Sequence, residues 1–146
     1  LVADQATWEV NKVAQDLINE IQPSILYLPF MYDVHLDHRV ICQSFMVAYR
    51  TCSKEGQNIK RIYAYETVSE THWNPAYLEP GFLPNTYVDI SDTLSIKLKA
   101  LEKYKSQIKP YPDTRSIKGI KALAEYRGSQ MGMNAAESFI MIRCFE

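Results

Sequence analysis

The features that would mark this chain as membrane-bound, disulfide-built or nucleic-acid-binding are missing. No apolar run approaches the roughly 20 residues needed to span a bilayer, so no membrane span is expected. The three cysteines, Cys42, Cys52 and Cys144, are odd in number and form no CxxC. That pattern excludes a disulfide framework and fits idle thiols in a reducing compartment, with cytoplasm as the default. With 16 basic against 17 acidic residues, the net charge of −1 gives no broad basic field, and no nucleic-acid partner is expected. The opening LVADQATWEV carries carboxylates and no basic leader, unlike a secretory signal. There are 5 glycines, no low-complexity tract and no internal repeat.

The remainder reads as a globular domain. At 146 residues and 47% hydrophobic, the chain is long enough to bury one sizeable core, so one domain over 1–146 is expected. It begins at Leu1 and passes almost directly into a helical pattern, which suggests an upstream part that is missing. Val10, Val13, Ala14, Leu17, Ile18 and Ile21 recur at helical spacing, predicting a helix from Thr7 to Ile21 closed by Pro23. Residues 24–30 are a continuous apolar run, as in a strand buried on both faces. A second helix carries Val40, Ile41, Ser44, Phe45, Val47 and Ala48 and ends near Cys52, followed by a polar turn KEGQN. Residues 59–67, IKRIYAYET, read as the next strand.

Strand, helix, strand is a βαβ unit. The expected fold class is therefore α/β, a Rossmann-like three-layer sandwich with a mainly parallel sheet whose N-terminal strands are missing. Residues 68–84 form a long irregular segment with Trp73, Tyr77 and Phe82, too apolar for disorder. TYVDI is a short strand candidate. Ser91 or Asp92 is placed to cap a helix with Leu94, Leu98, Leu101 and Ile108. A last helix, about residues 117–127, is expected to end at Gly128, and ESFIMIRCF to be a final buried segment.

One short stretch concentrates chemistry. YDVHLDHRV holds Asp33, His35, Asp37 and His38, and so two of only three histidines. It follows a predicted strand and leads into a helix, where open α/β sheets bind ligands. A catalytic zinc takes about three protein ligands and keeps one position for water. An HxDH segment supplies part of such a set: one histidine binds the ion, the other stands beside the open position, and a carboxylate holds an imidazole in one tautomer. The alternatives are a solvated turn, an i,i+4 chelate of His38 with Cys42, or completion by His72 if the long loop folds back. For Cys42, inward packing is the simpler reading.

PSILYLPFMYDVHLDHRV resembles the second motif of the LmbE/PIG-L family of metal-dependent N-deacetylases, an apolar strand running into an HPDH-type segment. IYAYET, the segment of Phe82, Pro84 and Asn85 before YVDIS, KLKALEKYKSQI and ALAEYRGSQMGMNAAESF resemble later blocks in the same order. The resemblance implies that His38 is a zinc ligand and that His35 stands near the acyl oxygen as electrophile or proton donor. It implies further that Asp37 orients a histidine and that Asp33 shapes the loop. The family proline is Leu36 here, with only a local effect on stiffness expected. The family's first motif, HPDDE, which supplies two metal ligands and the general base, is absent. The expectation is a zinc-dependent hydrolase acting on an N-acetylated sugar or glycoconjugate, with this chain inactive alone.

Among the other polar residues, Glu66 either lines the same crevice or is a solvated strand-end carboxylate. His72 and Trp73 are further substrate-binding candidates, Trp73 with Tyr77 as an acceptor-sugar platform. Packing of the loop is the plainer reading for both aromatics. Glu137 is expected to pair with Arg127 or Arg143 in a structural role, and the lysines of 97–109 to form a solvated face. The alternative function is a non-catalytic α/β module binding a ligand or partner, and an unpaired strand edge predicts a homo-oligomer.

Overall fold

The amphipathic period of the first twenty residues produces the helix it predicts. A computed structural model describes residues 1–50 and 58–146. A short 3₁₀ turn at Val2–Asp4 precedes α1, Thr7–Ile21, which buries Ala14 and Ile18 and ends with Gln22 in the left-handed region at φ 50°. The apolar run forms β1, Ile25–Pro29. Next come α2, Leu36–Ala48, and β2, Arg61–Tyr65. The expected helix end at Cys52 and most of the KEGQN turn lie outside the described residues.

The chain divides into two compact units, residues 1–83 with 140–146, and residues 84–139. In the first, β1 and β2 pair in parallel from Ile25 opposite Arg61 to Pro29 opposite Tyr65. Its core is Ala14 and Ile18 of α1, Leu28 of β1, Cys42 and Ala48 of α2, and Tyr49, Ile59 and Ile62. Burial of these side chains stabilises each by about 1–3 kcal/mol according to size.

The second unit holds β3, Thr86–Asp89, then α3, Leu94–Leu101, and α4, Ile117–Ser129, and the start of β4, Ala136–Cys144. Here β3 runs antiparallel to β4, Thr86 opposite Phe139 and Asp89 opposite Ala136. A small cluster of Ile90, Ala124 and Ala135 forms its interior. Lys97 pairs with Glu137 at 2.5 Å.

Strand order is β1-β2-β4-β3. The class is α/β as expected, but the sheet is mixed, not mainly parallel. One βαβ unit fixes only the pair it joins, and β3 and β4 pair in the opposite sense. Two other bounds differ. α3 stops at Leu101 and does not reach Ile108, because Lys103, Tyr104 and Gln107 donate to residues three back and Tyr104 is exposed, leaving no face to bury. Gly128 lies inside α4 and is not its cap. A Cβ there would meet the backbone of Ala135 and Met133 at 2.7 Å, so this glycine permits a close approach. No helix of the described residues is long and apolar enough to cross a membrane.

Candidate functional site

The turn from β1 into α2 is built from the residues that the sequence concentrates there. Asp33 N–H donates to Phe30 O at 3.1 Å, closing a tight turn at the strand's carboxyl end. His35 is the N-cap of α2, and its Nδ1 accepts from Asp37 N–H at 3.2 Å. Asp37, His38 and Arg39 then occupy the first turn of the helix.

Two hydrogen bonds fix the two histidines in opposite senses. A backbone N–H can only donate, so Nδ1 of His35 carries a lone pair and the neutral ring holds its proton on Nε2. Nδ1 of His38 lies 2.7 Å from Oδ2 of Asp33, a carboxylate fully removed from solvent. A carboxylate only accepts, so here Nδ1 carries a proton, and in the neutral ring Nε2 carries the lone pair. His35 therefore presents a donor and His38 an acceptor or metal ligand, with ring centroids 5.4 Å apart. In the neutral rings, one nitrogen can donate to an oxygen while the other can accept a proton or bind a metal ion.

The carboxylate bonded to His38 is Asp33, while Asp37, implied by the resemblance to orient a histidine, touches His35 through its backbone N–H. Oδ1 of Asp37 instead accepts from Ala3 N–H at 2.7 Å, tying the 3₁₀ turn to α2, and its Oδ2 is 4.0 Å from Nδ1 of His35.

Two contacts bring the long loop to this turn and a third ties it to the end of β2; sequence reasoning missed Thr71, Arg39, Glu79 and Asn74 in the first two. Thr71 Oγ1 donates to Oδ1 of Asp33 at 2.6 Å. Arg39 donates to both oxygens of Glu79 at 2.7 Å and through Nε to Asp33 O at 2.6 Å, while Asn74 Nδ2 also donates to Glu79. Hydrogen bonds from Arg39 and Asn74 hold the Glu79 carboxyl below its usual value, and the bond to Glu79 raises the Arg39 guanidinium further. Thr71 and Glu79 lie 38 and 40 positions from their partners, beyond any local spacing rule. Arg39 was visible beside His38 as the last charged residue of HLDHR.

The third contact joins Nε2 of His72 to Oε2 of Glu66 at 3.0 Å, with the Glu66 side chain only 7% exposed. Glu66 is thus not a solvated strand-end carboxylate. Trp73 and Tyr77 are 69% and 87% exposed, so packing of the loop does not account for either ring. Cys42, though one helical turn from His38, is buried, and burial followed by the charge of Asp33 pushes its thiol up to about 11. It packs in the apolar core of the first unit, the simpler of the two readings of this residue. Cys42 and Cys144 are free. Among the described residues, no group of three His, Cys, Asp or Glu side chains is placed to hold a metal ion.

No protein-family profile matches the sequence. Several solved structures share its fold. The conserved protein TT1542 from Thermus thermophilus superposes with a TM-score of 0.68 at 23% identity, over 94% of this chain and 60% of that one. The N,N'-diacetylchitobiose deacetylase from Pyrococcus horikoshii gives 0.66 at 20% identity, over 92% and 51%. GalB, the 4-carboxy-2-hydroxymuconate hydratase from Pseudomonas putida KT2440, gives 0.70 at 18% identity, over 97% and 62%. The chain therefore spans about half to three-fifths of the length of the proteins it resembles. At these identities the likeness is one of fold, and that fold carries both a deacetylase and a hydratase.

Proposed function

We propose that this chain supplies part of the active site of a metal-dependent N-deacetylase acting on an N-acetylated sugar or glycoconjugate. The observation that carries the reading is the opposed pair of histidines at the end of β1. His38, with Nε2 bare, is one metal ligand. His35, with a proton on Nε2, donates to the acyl oxygen as negative charge develops there, an interaction of the kind that contributes about 3–4 kcal/mol to a transition state. The N-terminus of α2 adds its positive end to the same place. Asp33 keeps His38 in its ligating tautomer, while Glu66, His72 and the exposed Trp73 offer polar and aromatic contacts to a sugar. Fold likeness to a diacetylchitobiose deacetylase supports the substrate class.

The residues described do not make a zinc site by themselves, since one histidine is not the usual set of three donors. The other donors and the general base come from outside them, and this chain alone is expected to be inactive. The same observation favours a second reading, a non-catalytic α/β module that uses the crevice for a ligand or partner. The deciding experiment measures zinc content and acetate release from N-acetylated sugars by the natural gene product. About one zinc per protein, with release abolished in His38→Ala, supports the deacetylase. A protein with neither zinc nor turnover leaves the binding module.

A further inference from the structure

We infer that Thr71 is a positioning residue, whose hydroxyl fixes the Asp33 carboxylate and through it the tautomer of His38. The inference rests on reading His38 as a group that acts through a bare Nε2, and it adds the long loop to the machinery that keeps it so. Thr67 N–H donates to Thr71 Oγ1 at 2.7 Å. With that lone pair engaged, the Thr71 proton points to Oδ1 of Asp33, 2.6 Å away. Oδ1 is thereby occupied, and Oδ2 is left facing Nδ1 of His38 at 2.7 Å. Thr71 is 5% exposed and Asp33 fully buried, so no solvent competes for either oxygen. The order of donors runs one way from a backbone amide that cannot reverse: Thr67 N–H to Thr71, Thr71 O–H to Asp33, and Asp33 receiving the proton of His38 from its other side.

The bidentate pair of Arg39 and Glu79 ties the far end of the same loop to the turn, with Arg39 also bonded to the carbonyl of Asp33. The loop is thus attached near one end to the Asp33 carboxylate and near the other, through Arg39, to the backbone carbonyl of the same residue. Without the Thr71 hydroxyl, Oδ1 is buried without this donor and the carboxylate rotates to share its remaining one, loosening the constraint on His38.

The test is the ring-nitrogen NMR signature of His38 in the full chain labelled with ¹⁵N-histidine, recorded without metal or substrate. Unmutated chain and Thr71→Ser are expected to show an unprotonated Nε2 and a protonated Nδ1. Thr71→Val is expected to shift the tautomer ratio of His38 about fivefold, the effect of one hydrogen bond, while His35 keeps its signature. An unchanged His38 in a folded Thr71→Val, or a shift equally large in Thr71→Ser, overturns the inference. A second measurement needs no substitution: the Thr71 hydroxyl proton should be protected from exchange and close to Thr67 N–H, and its absence counts against the relay. Since neither readout involves turnover, failure of the deacetylase reading and failure of this one are told apart.

Discussion

Two helices of this protein begin with the same kind of hydrogen bond made by different chemistry. α4, in the second unit, is capped by Ser116, whose Oγ accepts from Gly119 N–H at 3.0 Å. α2, in the first unit, is capped by His35, whose Nδ1 accepts from Asp37 N–H at 3.2 Å. Serine is among the best N-caps and histidine is not in the preferred set. Around α4 the first turn holds no acidic residue. Around α2 it holds Asp37, with buried Asp33 bonded to His38 just behind it. The difference marks where structure and chemistry can be told apart: at α4 the cap has only a helix to hold, whereas at α2 the capping ring keeps a second nitrogen that the cap does not use. All three histidines fall in the first unit, two of them at this helix start.

The largest expected effect breaks the α2 side. Asp33→Ala removes the acceptor of both His38 Nδ1–H and Thr71 O–H from a site with no solvent. It should cost roughly 2–4 kcal/mol in urea unfolding, as removal of a buried, charge-assisted partner does. A loss below about 1 kcal/mol would mean that the network is decorative. On the α4 side, Ser116→Ala should cost only about 1 kcal/mol, the value of one cap, and leave the His35 and His38 ring signatures unmoved. A change in those signatures would show that the two helix starts are not separate in function.

How much of this was legible follows from the same contrast. α1 was readable to its bounds because its apolar stripe is regular and Pro23 follows closely. The start of α2 was hidden: its apolar period begins at Val40, whereas the helix begins at Leu36, its first turn filled by polar residues of the site. Asp37 took the orienting role from the resemblance, which named no particular ring. Neighbours in a helix do not face each other, and Asp33, five residues before His38 across the turn, reaches the ring instead. Thr71 and Glu79 were unreadable because a long irregular loop carries no period from which its fold could be drawn. The mixed sheet was missed for a related reason, since β3 and β4 are joined by no βαβ unit.

Acid should separate the two helix starts more gently. Hydrogen bonds from Arg39 and Asn74 lower the Glu79 carboxyl. A carboxyl lowered in the folded state contributes stability that is complete above its ordinary range, about pH 4, and is lost as pH falls through the lowered folded value. Amides of the first turn of α2 should therefore exchange faster in strong acid, and Glu79→Gln should flatten that dependence. At the serine-capped start of α4, the Gly119 amide serves as the internal control. Equal acid sensitivity at both helices would put the cause in the whole chain and not in the Arg39–Glu79 clamp.

The smallest expected change in stability sharpens the comparison most. His35→Ser installs at α2 the cap that α4 already uses, so the helix should be as stable as before or gain a few tenths of a kcal/mol. What disappears is the Nε2–H of a side chain 42% exposed. If that proton is the donor to the acyl oxygen, acetate release by the natural gene product should fall on the order of 100- to 1,000-fold, the range for losing one such donor. A variant that keeps its stability and loses its turnover shows a residue chosen for chemistry over capping. A variant that keeps both returns His35 to the role of an ordinary cap, with the chemistry of the turn resting on His38 and Asp33 alone.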